Sequence, residues 1–439
     1  MNLRSRLILM FCALLLASAG ARGQDFYTNA AGVRSTALGG TYVVSSTDAI
    51  GALSANPAGL TFLRGENLNL EADVIIPRGS FSNSVNDGAP LNTSAAVVPY
   101  GAFGMPIRHS RFSFGVGLLP ELASRGDWKY FDAPGAAGAT YGLQQQKSAI
   151  VNARAVAGVG FTVNSRLSIG ATFGANYNQN TLDAPYIFQT QPALAGLKTL
   201  LTMHTAGVGW NGSVGVLARV SRSVQVGAAW KSRTVIDSTG HASGDVSAQF
   251  VALGVNAPSA WAYNAAVQNV LPQSILGDLS WQTSKHWLFA FQADWTNWNN
   301  AFVNLPVSLT NGTNATVNSL AGGTTLQDSV PLHWKDQYVF HVGAERSLTE
   351  NTVLRFGYAH GNDPVPSSTL TPLTAAIMQN QLSTGFAYSP GRSKWEVAYS
   401  FHPTATQHVG TSGLLSGEYD DSNVKVGTQD LMVGYSFRF

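Results

Sequence analysis

Charged residues are scarce in this chain. They make up 11% of its 439 residues, whereas an ordinary globular protein has about 25%. Cysteine is rarer still, because Cys12 is the only one and lies in a segment that we expect to be removed. The mature chain is therefore expected to have no disulfide or thiol chemistry. Beyond that segment no run of about 18 apolar residues occurs, which argues against membrane-spanning helices and favours a membrane β-barrel.

The first residues predict a secretory signal peptide, residues 1–21. Arg4 and Arg6 precede a short apolar stretch at residues 7–17, which is too short to span a bilayer. We expect cleavage after Ala21, with alternatives after Ala19 and Gly23. The full chain has 26 basic and 24 acidic residues, so the loss of Arg4 and Arg6 balances its charges. We therefore expect no nucleic acid partner.

Alternation of apolar and polar residues predicts strands with one face in lipid. In residues 428–439, apolar side chains from Leu431 to Phe439 take every second position, and residues 111–119 and 167–174 repeat the pattern. Such alternation over about ten residues is typical of transmembrane β-barrel strands. An exported barrel implies the outer membrane of a double-membraned bacterium, with its lipid as the surroundings.

Short turns and long connections alternate through residues 64–439, which we assign to the barrel. The short turns lie near residues 109–110, 164–165, 221–222, 284–285, 348–350 and 390–392. The long connections lie near residues 82–94, 121–146, 179–204, 238–271, 299–333, 362–379 and 403–427. They separate about 14 strands, an even number that brings both ends to one side of the membrane. The predicted fold is all-β, an antiparallel transmembrane barrel.

Residues 22–63 lack this alternation. They are rich in Gly, Ala, Ser and Thr and contain short helical patterns. One interpretation is a flexible exported leader. We favour a small folded hatch that plugs the lumen, because the segment has apolar side chains to bury. These are Val33, Leu38, Val43, Val44, Ile50, Leu53 and Leu60.

The alternation also sorts charged and aromatic residues between lumen and lipid. The inward positions hold Arg154, Lys231, Lys335, Glu345, Arg355 and Glu396. A cation facing lipid at mid-depth would cost about 2–4 kcal/mol. The outward positions hold Trp230, Trp287, Trp295, Trp395, Tyr399 and Tyr435. We expect these aromatic residues to form interfacial girdles rather than to bind ligand.

Two of the long connections are unusually apolar. They span residues 193–203 and residues 251–271, and Trp261 lies in the second. In the first, one helical face would carry Leu194, Leu197 and Leu201. One interpretation is a pair of helices that cover the barrel mouth. The other is an exposed landing site for an apolar solute, since a large apolar surface patch usually marks a binding site.

The end of the hatch resembles a known motif. Asn56, Pro57, Ala58 and Gly59 resemble the N-P-A motif of the FadL/TodX family, outer-membrane transporters of long-chain fatty acids and other hydrophobic compounds. Residues 271–299, 330–336 and 354–366 resemble the family's later strand pairs in order and spacing. The resemblance implies a fourteen-stranded barrel with a hatch. It also implies ligand capture between the third and fourth outer loops, a tighter inner pocket, and lateral release at a kink in the third strand.

Gly115, Gly117 and Pro120 lie in the third strand and would permit that kink. Pro99 and Pro106 weaken the second strand beside it. The alternative to a kink for lateral release is a β-bulge of the kind that ordinary barrels contain. Asn56 and Pro57 would fix the pose of the hatch, and entering ligand would displace its beginning, at Asp25 and Phe26, to open the exit.

These inferences lead to one preferred function, the passive uptake of long-chain fatty acids by a monomer without metal or cofactor. Lys335 is the favoured anchor for the ligand carboxylate, with Arg154 and Arg355 as further candidates. Salt bridges to Glu345 or Glu396 are the competing explanation for these cations. The rival function is uptake of aromatic or other hydrocarbons, which need no cation. A nonspecific porin and a hydrolase are less favoured, since a hatch would block the lumen and no H-E-x-x-H or G-x-S-x-G motif occurs.

Overall fold

The structure is a computed structural model that describes residues 31–42 and 48–439. The expected signal peptide and the gating residues Asp25 and Phe26 lie outside the described residues, as do Val43 and Val44. None of the helices in the described part of the chain is long and apolar enough to cross a membrane.

The described residues form one antiparallel sheet of nineteen strands. In chain order they are β1 (Asn67–Asn83), β2 (Asn86–Pro90), β3 (Ala96–Pro106), β4 (Phe112–Phe131), β5 (Leu143–Thr162), β6 (Leu167–Ile187), β7 (Lys198–Arg219), β8 (Val224–Lys231), β9 (Thr234–Asp245), β10 (Ala260–Leu271), β11 (Ser274–Gln282), β12 (Trp287–Thr296), β13 (Asn304–Thr310), β14 (Leu326–Pro331), β15 (Gln337–Ser347), β16 (Thr352–Gly361), β17 (Asn380–Tyr388), β18 (Ser393–Val409) and β19 (Ser422–Arg438).

Fourteen of these strands close into a barrel, as the sequence predicted. The barrel includes every strand except β2, β9, β10, β13 and β14. Closure comes from β1, which pairs with β3 on one side and with β19 on the other. Side chains alternate as expected: Phe112, Phe114 and Val116 of β4 are exposed, whereas Ser113 is buried. The lipid-facing and lumen-facing sides are therefore set by the period of two.

A smaller sheet extends the barrel on the side of the long connections, called the outer side below. Here β9 pairs with the first half of β7, and β10, β13 and β14 follow in order. The helix expected at residues 193–203 is wrong, because β7 begins at Lys198. The β6–β7 ladder continues outward through Ala184↔Leu201, and pairing on both edges satisfies the backbone of this segment as a strand.

Short helices accompany the sheet. In the outer loops they are α3 (Ser247–Leu253), α4 (Trp298–Ala301) and α5 (Ala315–Ala321), and near the N-terminus they are α1 (Val33–Ala37) and α2 (Ala49–Ser54). A 3₁₀ helix, Pro57–Phe62, follows α2. The described N-terminal residues, 31–42 and 48–63, are called the plug below. They pack inside the barrel at its short-turn end, where α1 contacts β17 and β18 and the 3₁₀ helix contacts β5, β6 and β7.

Candidate functional site

Asn56 ties the plug to the barrel wall. Its side-chain amide donates to the backbone carbonyls of Val216 on β7 at 3.1 Å and Ala228 on β8 at 3.2 Å. Its side-chain oxygen accepts from the backbone N–H of Ala58 at 3.2 Å, which caps the 3₁₀ helix at Pro57. Asn56 is fully buried. The N-P-A segment thus holds the plug against two barrel strands, which gives its expected anchoring role a physical basis.

Glycines in the wall make room for the plug. A Cβ atom on Gly215 would overlap Asn56, and one on Gly170 would overlap Pro57. The register places Gly170 opposite both Gly160 and Gly215, so these glycines form a cross-strand row. The other wall glycines against the plug are Gly104, Gly115, Gly117, Gly158, Gly343, Gly357, Gly385 and Gly434. Any side chain in these rows would compete with the plug for the same space.

A chain of ion pairs joins the plug to strands β15, β16 and β18. Glu345 accepts from Arg34 of the plug at 3.1 Å and from Arg355 at 2.8 Å. Arg355 also pairs with Glu396 at 2.6 Å, and Glu396 pairs with Lys394 at 2.6 Å. Arg355 is therefore buried between two carboxylates, which favours a structural role for it over ligand binding.

Arg154 has spare hydrogen-bonding capacity. It is fully buried on β5 and donates to Thr172 at 3.0 Å. Its Nε and Nη1 have no hydrogen-bond partner among the described residues, and the same holds for the side-chain amides of Asn152, Asn176 and Asn211. We call these four residues the polar chamber. Its unsatisfied donors and acceptors suit water or an anion rather than a hydrocarbon.

An apolar pocket of about 200 Å³ lies on the outer side of the polar chamber. On β5, its lining residue Ile150 comes two positions before Asn152. The apolar residues of its wall include Ile150, Leu182, Val267, Leu305, Trp334 and Leu373. No lysine or arginine of the described chain lines it, and Glu418 is the one acidic residue that does. This lining suits an uncharged hydrophobic ligand.

The segment around Lys335 contributes to this pocket through other side chains. Leu332 and Trp334 line the pocket. Lys335 has an exposed side chain and precedes β15, so the expectation that it occupies a lumen-facing strand position is wrong. Burial raises the pKa of Asp363 to about 6, and nearby Lys335 opposes this shift. A carboxylate-binding role for Lys335 stays a prediction.

The two apolar connections meet beside the pocket. Leu194, Leu201 and Trp261 are buried in one apolar cluster, and Leu197 packs against it. A small cavity there has Leu194, Leu197 and Trp261 in its wall. Exposed apolar side chains surround this cluster, and these are Val251, Leu253 and Leu320. The two apolar connections therefore pack together, through strands and turns rather than a helix at residues 193–203.

Asp328 of β14 fastens the turn after β6 over the pocket. Its carboxylate accepts from the hydroxyl of Tyr186 at 2.5 Å and from the backbone N–H groups of Gln189 at 3.0 Å and Thr190 at 2.5 Å. Tyr186 and Gln189 both line the pocket. One carboxylate therefore holds a short segment of the pocket wall in place.

The β3–β4 ladder ends early and leaves a window in the wall. Its pairs run from Pro106↔Ser113 to Gly101↔Leu118. Continuation in the same register would place Pro99 opposite Pro120, and neither residue has an N–H to donate. Within the described residues, pairing across this gap resumes at Asp127, which accepts from the N–H of Asn92 at 2.7 Å and donates to Thr93 Oγ1 at 2.8 Å. The bridge Leu91↔Trp128 follows. Residues 119–126 of β4 are thus paired with β5 alone.

The register shift of β4 lies within this window, between Pro120 and Leu122. The intervening residue, Glu121, forms an ion pair with Lys231 at 3.0 Å. Ser124, just beyond the shift, lines the apolar pocket and also a second cavity of about 30 Å³ beside β1 and β19. The window therefore borders the pocket.

Gly115 and Gly117 lie in the paired part of β4, on the plug side of the shift. A Cβ atom on Gly115 would come within 2.8 Å of Leu60, and one on Gly117 within 3.2 Å of Leu53. These glycines give clearance to the plug. Among the residues expected at the kink, Pro120 is the one that borders the register shift.

Comparison with known proteins identifies the family to which this barrel belongs. The family model described as outer membrane protein transport protein (OMPP1/FadL/TodX) matches residues 12–439. The chain belongs to this family. It is accordingly an outer-membrane β-barrel protein, and the FadL/TodX family consists of transport channels for hydrophobic compounds. No curated protein sequence matched the chain.

Solved structures from the FadL/TodX family share the fold. The toluene transporter TbuX of Ralstonia pickettii is 20% identical with a TM-score of 0.72, and the toluene transporter TodX of Pseudomonas putida is 20% identical with a TM-score of 0.74. A FadL homologue of Pseudomonas aeruginosa is 16% identical with a TM-score of 0.74. Each match covers 94% of this chain and 99% of the other. At these identities the likeness establishes the fold.

Several residues of the apolar pocket were missed from the sequence. They include Glu418, Asp328 and most of the pocket lining, which comes from loops far apart in the chain. Alternation of apolar and polar residues gives no signal in loops, because it reports only the strand faces. Trp334 could have been predicted, because it is the aromatic neighbour of Lys335 in the segment 330–336 that resembles the family.

Proposed function

We propose that the protein takes up small, neutral hydrophobic compounds across the outer membrane, with a one-ring aromatic hydrocarbon as the model ligand. The observation that carries this proposal is the apolar pocket of about 200 Å³, lined among the described residues by no lysine or arginine. A buried cavity of about 150 Å³ with aliphatic and aromatic walls binds benzene. The relatives TbuX and TodX are toluene transporters by name.

The proposed route starts at the outer loops. The exposed side chains of Val251, Leu253 and Leu320 offer a first apolar contact, and the pocket offers a more complete enclosure. Each buried methylene contributes about 0.8 kcal/mol. Release follows through the window beside Ser124 into the bilayer, and no energy-coupling motif is required because consumption of the ligand in the cell draws the flow.

A second candidate is the fatty-acid uptake preferred from the sequence. The unsatisfied Nε and Nη1 of buried Arg154 favour it, because a carboxylate is costly to bury without a cation or donors. Arg355 supports this candidate less, since Glu345 and Glu396 already pair with it. The two candidates differ in where the ligand binds and in whether the polar chamber takes part.

Equilibrium dialysis of the purified protein against labelled toluene and labelled oleate tests the proposal, with a detergent-only chamber to correct for partition into micelles. Ile150→Trp fills the pocket and is expected to weaken toluene binding at least tenfold. Val151→Trp, on the opposite face of the same strand, is the matched control and should leave binding unchanged. Oleate binding that is lost in Arg154→Gln and kept in Ile150→Trp would instead establish the fatty-acid candidate.

A further inference from the structure

One end of the apolar pocket carries a buried carboxyl group. Glu418, in the loop between β18 and β19, lines the pocket beside Tyr419. Its side chain is 6% exposed, and its Oε1 has no hydrogen-bond partner among the described residues. Lys198 Nζ forms an ion pair with this oxygen at 3.7 Å, a separation longer than a hydrogen bond. A buried oxygen without a donor is destabilising, and a ligand that supplies a donor removes that cost.

The neighbours of Glu418 leave it as a hydrogen-bond acceptor. Lys198 Nζ donates to Asp132 at 2.6 Å and to the carbonyl of Ala133 at 2.5 Å, so two of its three N–H donors are engaged within hydrogen-bond distance. Burial raises the pKa of Glu418 to about 8; Lys198 opposes this shift, and a hydrogen bond with Asp132 adds to it. Burial therefore disfavours the charged form of Glu418, and Oε1 has lone pairs that can accept a hydrogen bond in either protonation state.

Tyrosine side chains complete this polar end. The Tyr419 hydroxyl lies 3.5 Å from the Tyr130 hydroxyl, and Tyr130 donates to Gln146 at 2.6 Å. All three residues are buried. The opposite walls of the pocket, around Leu182, Val267 and Leu305, are apolar. The pocket thus has a long apolar body and one end at which a hydrogen bond can form.

We propose that Glu418 accepts a hydrogen bond from the O–H or N–H group of a ring-shaped ligand, so that the pocket distinguishes phenols and anilines from hydrocarbons of the same shape. This inference rests on the proposed function, because it takes the apolar pocket as the ligand site. A phenol gives up a hydrogen bond to water when it enters, and Oε1 replaces it. A ligand carboxylate has no O–H group to donate at neutral pH, so it forms no hydrogen bond with Glu418.

The test compares p-cresol with toluene, which differ by one hydroxyl group. Dissociation constants of both labelled ligands are measured by equilibrium dialysis for the wild-type protein and for Glu418→Leu. The ratio of the toluene constant to the p-cresol constant is expected to fall about tenfold in the variant, because the loss of a buried acceptor penalises p-cresol alone. Differences in water solubility and micelle partition cancel, since both proteins face the same ligands. An unchanged ratio overturns the inference.

A second measurement needs no variant. In 4-methylanisole a methyl group replaces the hydroxyl proton of p-cresol, and we expect wild-type protein to bind it at least tenfold more weakly than p-cresol. Equal binding of the two overturns the inference. Glu350→Leu, an exposed change at a short turn, is the control and should leave all ratios unchanged. If toluene and p-cresol bind without preference, this inference alone fails, whereas absence of binding by either contradicts the proposed function.

Discussion

The outer and inner halves of the lumen differ in chemistry. The outer half holds an apolar pocket lined, among the described residues, by no lysine or arginine. The inner half holds the plug, its ion pairs through Arg34 and Arg355, and the polar chamber around Arg154. A hydrophobic ligand loses favourable contacts when it moves inward, since buried polar groups there need hydrogen-bonding partners. The window in β4 borders the pocket at Ser124, so a sideways exit avoids the polar half.

The contrast between the halves also shows how each is held. The inner half depends on close backbone approach, which the rows of wall glycines permit. The outer half depends on side-chain anchors such as Asp328 and Lys198, which bind loops over the pocket. Changes to the inner half should therefore affect assembly, and changes to the outer half should affect ligand exchange.

The largest effect is expected when the inner half is overfilled. A Cβ atom in Gly215→Ala would overlap Asn56, and overpacking of this kind costs about 3 kcal/mol. We expect a lower denaturation midpoint and raised ion conductance in planar bilayers as the plug is displaced. The control is Gly277→Ala, whose new Cβ would meet no atom within 4 Å and which should change stability by less than about 0.5 kcal/mol. Equal behaviour of the two variants would contradict the packing account.

The next effect concerns the boundary between the halves. Replacement of Pro99 and Pro120 by threonine restores two backbone donors and lets the β3–β4 ladder extend, which closes the window. Initial uptake of labelled toluene by cells that produce the variant should fall about tenfold. The reason is that about 1.4 kcal/mol of added strand pairing lowers the equilibrium constant for opening the window tenfold. Equilibrium binding to the purified protein should persist. Pro106→Thr, in the part of β3 that is already paired, is the control, and undiminished uptake by the double variant would refute lateral release here.

A smaller effect is expected in the outer half when Asp328 is replaced by alanine. The variant leaves the Tyr186 hydroxyl and the N–H groups of Gln189 and Thr190 without their acceptor, at a local cost of about 2 kcal/mol. Limited proteolysis should cut near residues 188–197 faster, and bound toluene should exchange faster. Asp237→Ala removes an exposed carboxylate that accepts from Gln268 and serves as the control. If Asp328→Ala and Asp237→Ala are both cleaved as slowly as the wild-type protein, Asp328 is dispensable for holding this loop.

A further effect is a pH dependence from Glu418. Its pKa is raised by burial to about 8, whereas an unfolded glutamate titrates near about 4.3. The folded protein therefore binds an extra proton between these values, and its free energy of unfolding falls as pH rises until this contribution is lost above about pH 8. The denaturation midpoint of wild type minus that of Glu418→Gln should fall between pH 5 and pH 9, because only the wild-type side chain loses a proton. A constant difference would mean that Glu418 does not titrate in this way.

The barrel followed from the sequence because its signal is repeated along the chain. Lipid on one side and the lumen on the other impose a period of two on every strand, which the Phe112 to Val116 stretch already displays. The plug motif at Asn56 could be recognised because its residues are consecutive and its cap to Ala58 is local, whereas its bonds to Val216 and Ala228 appear only in the structure. Local patterns of this kind need no knowledge of the tertiary structure.

The ligand site was less accessible to the same reasoning. Ile150, Leu305 and Glu418 meet only after the sheet has closed, and nothing in their own neighbourhoods marks them. Inward parity named Arg355 as a candidate ligand anchor, with salt bridges to Glu345 or Glu396 as the competing explanation. The structure has both salt bridges, to Glu345 on the neighbouring β15 and to Glu396 on β18. Parity tells which way a side chain points, whereas the pairing across strands decides whether it is available.

The most direct measurement of the central claim is a crystal structure of the protein soaked with iodobenzene, in which anomalous scattering locates the iodine atom. A neutral ring of this size should bind in the outer half, and we predict an iodine peak in the pocket bounded by Ile150, Leu305 and Trp334. A peak in the polar chamber beside Arg154, with the apolar pocket empty, would contradict the account.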